Sequence, residues 1–309
     1  MIPAVVLLLA ADFPSATISN GSVAATLMLP DPANGSYQGT RFDWSGIISS
    51  LTYQGHEYFG QWYPKHDPKI HDAITGPVEE FLSNDAGLGY DEAKPGETFL
   101  RIGVGAVRKP DEKAYRRFAT YEIVDPGKRS LKRGNDWIEF GHKASAGAYG
   151  YDYRKTIRLE RAGFTIEHVL ENKGSKPIDT LVYDHNFFVI DHEVVGPDMV
   201  IRFPWAPKPD KPFINGGKIV GDEIRYEKEL NTGETVAADL SGFGAYEAQI
   251  ENHKTLAGVK ITSDQPLAKL YFWSIRTVGC PEPYIHIVVA PKHAFKWQIR
   301  YGLYTFPRN

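Results

Sequence analysis

Apolar and polar residues alternate along much of the chain, and this two-residue period is typical of β-strands that are buried on one face. In FKWQIRYGLY the large apolar residues occupy every second position and share one face: Phe295, Trp297, Ile299 and Tyr301. Similar patterns predict strands at 22–29, 46–53, 99–107, 153–160, 164–172, 181–190, 257–263, 268–275, 284–290 and 295–306. The chain is therefore predicted to be rich in β-structure.

Turn-forming sequences separate the predicted strands. They are PDPANGS at 30–36, DPGKRS at 125–130, NKGSKP at 172–177 and NTGE at 231–234. Only GPVEEFLSND, at 76–85, has a pattern that fits a helix, and the chain shows no internal repeat at solenoid or propeller spacing. Many antiparallel strands without alternating helices predict an all-β fold, a large two-sheet antiparallel β-sandwich built as a single domain.

The composition supports an aromatic-rich and turn-rich β protein, because the 309 residues include 29 Gly, 21 Pro, 17 Tyr, 16 Phe and 6 Trp. The formal net charge of −3 argues against a polyanion-binding surface, since nucleic-acid-binding proteins usually carry a clustered basic excess. The densest basic run, KRSLKRGND at 128–136, lies between two predicted strands and is expected to be a solvated turn. We therefore expect no nucleic-acid partner.

The N-terminus leaves the cellular compartment open. The apolar run IPAVVLLLAA, at 2–11, has the length of a signal-peptide core, is too short to span a bilayer and lacks the usual basic residues before it. Either 1–20 contains a signal segment, so that 21–309 is an exported (periplasmic or secreted) domain, or the run is a buried first strand of a cytoplasmic protein. Cys280 is the only cysteine, which excludes an intrachain disulfide and a cysteine-based zinc site.

Several kinds of chemistry lose support from the sequence. RIGVGAV lacks the third glycine and the following helix of a dinucleotide-binding motif, and neither a Gly-x-Ser-x-Gly elbow nor a P-loop is present. The two histidines of HDPKIH, at 66–71, are better explained by a binding loop or a plain surface than by a metal site. What remains is acid–base chemistry by His, Asp and Glu side chains, and neither a cofactor nor a metal ion is predicted.

Two segments place acids or imidazoles inside apolar strand sequence. In TLVYDHNFFVID, at 180–191, the centre is Asp184, His185 and Asn186, and in GCPEPYIHI, at 279–287, Glu282 stands between two prolines. Because proline fixes its own φ and restricts the residue before it, Glu282 is held on a stiff backbone that suits preorganised chemistry. A wet strand edge and a surface turn are the structural alternatives for these segments.

These two segments, in this order, resemble the aldose 1-epimerase (galactose mutarotase-like) superfamily. YDHNFF corresponds to the family's Asn-His-x-x-Phe stretch, with Asp184 in place of the usual asparagine, and GCPEPYIHI followed by FKWQIRYGLYTF corresponds to its C-terminal strands. The resemblance covers 99–306, and GTRFDWSGIISSLTYQG, at 39–55, is similar to the family's first hairpin. It implies the large antiparallel β-supersandwich fold.

The resemblance also implies an activity, the interconversion of the α and β anomers of a free sugar, with a sugar or a glycan end as the partner. In this reaction one group protonates the ring oxygen while another takes the proton of the C1 hydroxyl. By position, His185 is expected to be the acid and Glu282 the base. Asp184 and Asn186 are expected either to position His185 or to bind sugar hydroxyls.

The remaining expectations concern substrate binding. Trp205 and Trp273 are expected to stack on the sugar ring. The family's loop with an arginine and a further histidine is not clearly present, and HDAITGPVEEF, at 71–81, offers His71, Glu79 and Glu80 at that place. Two alternatives remain open. One is a non-catalytic carbohydrate-binding sandwich, and the other is a polysaccharide lyase that uses Tyr183, or Tyr153 with Lys155.

Overall fold

The structure is a computed structural model and describes residues 13–307, which form 23 strands and one 3₁₀ turn at Ile190–His192. The first strands are β1 (Ser15–Ser19), β2 (Val23–Met28), β3 (Ile47–Tyr53), β4 (His56–Glu57), β5 (Val78–Leu82), β6 (Thr98–Arg101), β7 (Gly105–Arg108), β8 (Ile123–Asp125), β9 (Lys128–Arg133), β10 (Trp137–Ala146), β11 (Tyr149–Glu160) and β12 (Gly163–Asn172). The others are β13 (Ile178–His185), β14 (Met199–Arg202), β15 (Lys208–Pro209), β16 (Gly217–Val220), β17 (Glu223–Tyr226), β18 (Thr235–Ser241), β19 (Glu247–Asn252), β20 (Ala257–Ser263), β21 (Lys269–Ile275), β22 (Val278–Val289) and β23 (Ala294–Thr305).

Two large antiparallel sheets organise these strands. The ten-stranded sheet has the order β16-β17-β14-β19-β20-β23-β12-β11-β10-β9, and the six-stranded sheet has the order β15-β18-β21-β22-β13-β5. Smaller sheets of four strands (β1-β2-β3-β4) and three strands (β6-β7-β8) complete the structure. The fold is thus all-β and antiparallel, as the sequence predicts.

The main hydrophobic core lies between the two large sheets. It unites Val182 of β13 and Ile287 of β22 with residues of the ten-stranded sheet such as Leu170 and Trp297. On β23 the alternation is as predicted, because Trp297, Ile299 and Tyr301 are buried while the polar residues between them are exposed. Burial of such side chains stabilises the sandwich by about 1.5–3 kcal/mol for each large apolar residue.

A second core covers the outer face of the six-stranded sheet. Tyr183 and Phe187 belong to it together with Phe42, Trp62 and Tyr284. Strand β13 is therefore buried on both faces near its C-terminal end, with one face in each core. A cavity with polar side chains lies in this second core.

The segment 76–85 forms strand β5, so the expectation of a helix there is wrong. All five residues of β5 are buried, and the strand pairs with β13 from Leu82↔Leu181 to Val78↔His185. Because both of its faces are covered, the segment lacks the alternation of a half-buried strand, and its short apolar pattern fits a helix equally well.

Two further expectations need correction. The predicted strand 99–107 is a hairpin of β6 and β7, because Gly103 (φ +82°) and Gly105 (φ +133°) adopt backbone conformations that only glycine reaches easily. The basic run at 128–136 is mostly strand β9, at the edge of the ten-stranded sheet, rather than a turn. Lysine and arginine side chains on an edge strand disfavour its pairing with another molecule.

The N-terminal apolar run at 2–11 lies outside the described residues. Of the possible signal segment 1–20, residues Ser15–Ser19 form β1, which pairs with β2. Across residues 13–307 the structure contains no helix with the length and apolar character needed to cross a bilayer.

Candidate functional site

A cavity of about 440 Å³ lies on the outer face of the six-stranded sheet. Side chains from β13, β21 and β22 form its floor, and loop residues from the N-terminal half of the chain form its walls. Among the lining residues are His185, Glu282, Trp273, Tyr284, Arg41 and Arg117. Such a concave site with a few convergent polar groups is the usual form of a small-molecule site.

The strand register brings His185 and Glu282 together. Strands β13 and β22 are antiparallel, and Tyr183 is directly opposite Tyr284. Because side chains two residues apart share a face, the next positions on that face are His185 on one strand and Glu282 on the other. Their side chains meet, with His185 Nε2 at 3.2 Å from Glu282 Oε1.

Burial controls the protonation of this pair, since the two side chains are only 6% and 4% exposed. Burial raises the pKa of Glu282 to about 8. Burial, with help from the charges of Arg41 and Arg117, lowers the pKa of His185 well below its ordinary value. At neutral pH the pair therefore holds one proton, on Glu282, next to a neutral imidazole.

Aromatic packing orients the His185 ring. Phe187 stacks on it at 3.8 Å between ring centroids, and Phe42 and Trp273 meet it edge-on at 5.7 and 5.6 Å. Within residues 13–307, His185 Nδ1 has no hydrogen-bond partner, and Nε2, on the other side of the ring, lies 3.2 Å from the Glu282 carboxyl group. The ring is thus held by aromatic packing, with Nε2 turned towards the carboxyl group.

Two arginines stand beside the pair on a shared buried anchor. Arg41 Nε donates to Glu80 at 2.9 Å, and Arg117 Nη2 donates to Glu80 at 2.7 Å and to the Tyr183 hydroxyl at 2.7 Å. Burial acts to raise the pKa of Glu80, but the two guanidinium groups outweigh it and lower that pKa to about 2. The anchor fixes two cations in the wall of the cavity, and one buried carboxylate balances only one of them.

The only cysteine is also part of this region. Cys280 lies on β22 opposite Trp273 of β21 and is fully buried. Burial raises the pKa of its thiol well above the ordinary value. The thiol is therefore protonated and unreactive in the folded protein.

The structure brings four of the predicted site residues into one cavity: His185, Glu282, His71 and Trp273. It places the other five elsewhere, and one of them, Glu79, points into the main core, where it contacts His168. Asp184 and Asn186 point to the opposite face of β13, where both contact Tyr301 in the main core. Glu80 lies beneath the arginines and outside the cavity lining, and Trp205 stacks on Phe203 away from the cavity.

The two-residue period of a β-strand explains why His185 faces the cavity while the residues on either side of it face the main core. His185 shares its face with Tyr183 and Phe187, whereas Asp184 and Asn186 face the other sheet. This grouping is readable from the sequence once the strand is known to be buried on both sides.

Sequence reasoning did not find Arg41 or Arg117. Arg41 lies in GTRFDWSG, which is similar to the family's first hairpin but carries no local pattern that indicates a cavity residue. Arg117 lies in an irregular loop and reaches Tyr183, 66 positions later, through the fold alone. Two of the residues considered for a polysaccharide lyase, Tyr153 and Lys155, lie away from the cavity. Both are buried in the main core, where Lys155 Nζ donates to Glu79.

Comparison with solved structures finds this architecture in proteins of low sequence identity. A protein from Synechocystis sp. PCC 6803 matches with a TM-score of 0.60 at 14% identity, over 96% of this chain and 98% of that one. A putative aldose 1-epimerase from Escherichia coli K12 matches with a TM-score of 0.55 at 12% identity, over 94% and 99% of the two chains. The GalM/aldose epimerase homologue from C. elegans matches with a TM-score of 0.56 at 13% identity, over 95% and 100%.

No family model matches the sequence, and no curated protein matches it. The likeness therefore rests on the arrangement of strands over nearly the whole length of both chains. The chain has the galactose mutarotase-like β-sandwich fold, although its sequence shares only 12–14% identity with these structures.

Proposed function

We propose that the protein is a sugar isomerase of the aldose 1-epimerase type, with His185 and Glu282 as its catalytic residues. The observation that carries the proposal is the buried pair in the cavity, whose side chains lie 3.2 Å apart. Anomer exchange acts on two oxygens bonded to the same carbon, the ring oxygen and the C1 hydroxyl. The acid and the base that serve these oxygens must therefore be adjacent, as His185 and Glu282 are.

The protonation of the resting pair suggests the direction of the first step. Glu282 gives its proton to the ring oxygen as the bond between C1 and that oxygen breaks, and His185 Nε2 takes the proton of the C1 hydroxyl. The products are an open-chain aldehyde, a carboxylate and an imidazolium. Rotation about C1–C2 and the reverse transfers then close the ring as the other anomer and restore the pair.

The opposite roles, with His185 as acid and Glu282 as base, are those that the family resemblance implies. They correspond to the other proton tautomer of the same pair, in which a carboxylate faces an imidazolium. Ring opening moves one proton to the sugar and one from it, and ring closure reverses both transfers, so either tautomer is restored after one complete anomerisation. What the proposal requires is a pair that carries a single proton.

The rest of the cavity suits a sugar. Trp273 and the half-exposed Phe118 offer aromatic surfaces, and Phe118 stacks on His71 at 4.7 Å. Arg41 and Arg117 bring ten N–H donors in all, of which Glu80 and Tyr183 take only part. The same fold in a protein described as a putative aldose 1-epimerase and in one described as a GalM/aldose epimerase homologue supports this interpretation.

The test is the rate of mutarotation of freshly dissolved α-glucose and α-galactose, followed by polarimetry or by proton NMR of the C1 signal. The wild-type protein is expected to accelerate exchange over buffer, and His185→Ala and Glu282→Gln are expected to lose about 100-fold or more. Tyr304→Phe, distant from the cavity, serves as the control. Sugar binding that survives in Glu282→Gln without any exchange by the wild type would instead indicate a carbohydrate-binding protein.

A further inference from the structure

The backbone hydrogen-bond ladder between β13 and β22 is interrupted beside the candidate catalytic pair. The regular ladder ends at Tyr183↔Tyr284, and the next pairing is an isolated bridge at Phe188↔Gly279. Pro281 and Pro283 lie in the interval, and proline has no N–H to donate. Because residues two apart on a strand direct their backbone groups to the same side, both prolines remove donors that would face β13.

One side chain fills this interval. Asn186 is fully buried, and its Nδ2 donates to the carbonyl oxygen of Pro281 at 2.9 Å. Asn186 directly follows His185, and Pro281 directly precedes Glu282. This bond therefore joins the two strands next to both members of the pair.

We propose that Asn186 is a positioning residue, whose side-chain amide replaces the missing backbone pairing and sets the separation of His185 and Glu282. Without this bond, the two strands have no direct hydrogen bond between the last regular pair and the isolated bridge in the described residues. The side chains that must meet at 3.2 Å would then stand on strands free to separate.

The orientation of the Asn186 side-chain amide follows from the donors and acceptors around it. The Tyr301 oxygen is 2.9 Å from Asn186 Oδ1 and 2.8 Å from Asp184 Oδ2. A reversed amide would place Oδ1 against the Pro281 carbonyl oxygen, and two acceptors cannot bond each other. The Tyr301 hydroxyl therefore gives its proton to Asn186 Oδ1.

The same count of donors and acceptors indicates that the Asp184 carboxyl group is protonated. Tyr301 has a single hydroxyl proton, so Asp184 completes the network only if its carboxyl group donates to the Tyr301 oxygen. Burial and the charge of Glu79 favour this state, because they raise the pKa of Asp184 to about 8. A chain of donors thus runs from Asp184 through Tyr301 and Asn186 to Pro281, and it connects the ten-stranded sheet with the cavity.

The experiment compares Asn186→Leu, which has similar volume and no donor, with Tyr301→Phe, which removes only the hydroxyl. Tyr246→Phe is the matched control, because its hydroxyl is buried in the same core and has no hydrogen-bond partner in residues 13–307. The first readout is the ¹⁵N NMR signal of His185 together with a crystal structure of each variant. The second readout is kcat and KM for anomer exchange, which rests on the proposed function.

In Asn186→Leu we expect His185 and Glu282 to move beyond hydrogen-bonding distance, and kcat to fall by about 100-fold with little change in KM, as a misplacement of about 1 Å can produce. Tyr301→Phe should show a smaller effect of the same kind, and Tyr246→Phe none. Should Asn186→Leu not fold, the decision rests on Tyr301→Phe.

Unchanged His185 signals in folded Asn186→Leu or Tyr301→Phe, or equal changes in Tyr246→Phe, would overturn the proposal. Absence of anomer exchange in the wild type would count against the proposed function alone. The NMR signals and crystal structures would then still decide the role of Asn186.

Discussion

At the scale of single residues, burial gives the candidate site its chemistry. An exposed glutamate would be ionised at neutral pH, and an exposed histidine, with an ordinary pKa of about 6.5, would be mostly neutral. In this cavity the burial of both groups moves their pKa values in opposite directions, past each other. The pair therefore keeps one proton over a wide range around neutral pH, which is the state that a bifunctional acid–base reaction requires.

This protonation predicts a bell-shaped dependence of kcat/KM on pH. Activity should fall above about pH 8, where Glu282 loses the proton of the pair. It should also fall on the acid side, well below pH 6.5, where His185 gains a second proton. Anomerisation rates measured from pH 4 to 10 test this, and a rate that keeps rising through pH 9 would contradict the assignment.

At the scale of elements, strand β5 directs two adjacent carboxylates to opposite faces, one into each hydrophobic core. Glu80 points outward and anchors the arginines of the cavity wall, while Glu79 points inward to the ten-stranded sheet. There it accepts from His168 Nε2 of β12, at 2.7 Å, and from Lys155 Nζ of β11. Glu79 and Lys155 are both fully buried, so β5 is attached to the opposite sheet by an ion pair in the core.

Breaking this pair should be costly. Glu79→Gln leaves the Lys155 charge buried without its main partner, and we expect a loss of about 3–5 kcal/mol in the free energy of unfolding. The double variant Glu79→Leu/Lys155→Met should recover most of that loss, because neither charge of the pair is then left buried without the other. Urea unfolding followed by tryptophan fluorescence measures these differences.

The matched control for this prediction is Glu92→Gln, which breaks the exposed pair between Glu92 and Lys176. It should change the free energy of unfolding by less than about 1 kcal/mol. A loss in Glu79→Gln as small as in this control would show that the buried pair does not hold the sheets together.

Elements are also the scale at which the sequence was most informative. Alternation located β20, β21 and β23 to within a residue or two, and it identified the buried face of β23. It failed for β5, because a strand covered on both faces loses its alternation. It found His185 and Glu282 as polar interruptions of apolar sequence, but a local pattern does not encode Arg117, whose partners lie 37 and 66 positions away.

At the scale of the whole molecule, the core between the sheets contains several buried ionisable groups. Asp184 is fully buried there, and Glu79, Lys155, Asp43 and Tyr301 all act on it. Its raised pKa links the folding equilibrium to pH. The folded state retains the Asp184 proton up to about pH 8, whereas the unfolded chain releases it near its ordinary pKa of 3.8.

The sign of this linkage gives a test. The stabilising contribution of protonated Asp184 is complete below about pH 4 and is lost as the pH rises towards 8, because the unfolded state binds fewer protons in that interval. Asp184→Asn retains a donor to Tyr301 and has no proton to lose. We therefore expect its free energy of unfolding, relative to that of the wild type, to increase steadily from pH 4 to 8.

Urea unfolding at a series of pH values provides the measurement, and subtraction of the two curves removes the contributions of Glu282 and the buried histidines. A difference that stays constant over this range would show that Asp184 is ionised in the folded protein. The hydrogen-bond chain through Tyr301 would then need another direction.

The rate at which a reagent labels the single thiol, that of Cys280, measures how often the candidate site opens. Cys280 is two residues from Glu282 and is covered by the same packing that closes the floor of the cavity. A thiol reagent can reach it only when β22 separates from its neighbours, so the labelling rate counts those openings in the otherwise native protein. Because no second cysteine competes for the reagent, each labelling event reports a local opening of this one strand. A sugar that binds in the cavity should therefore lower the labelling rate.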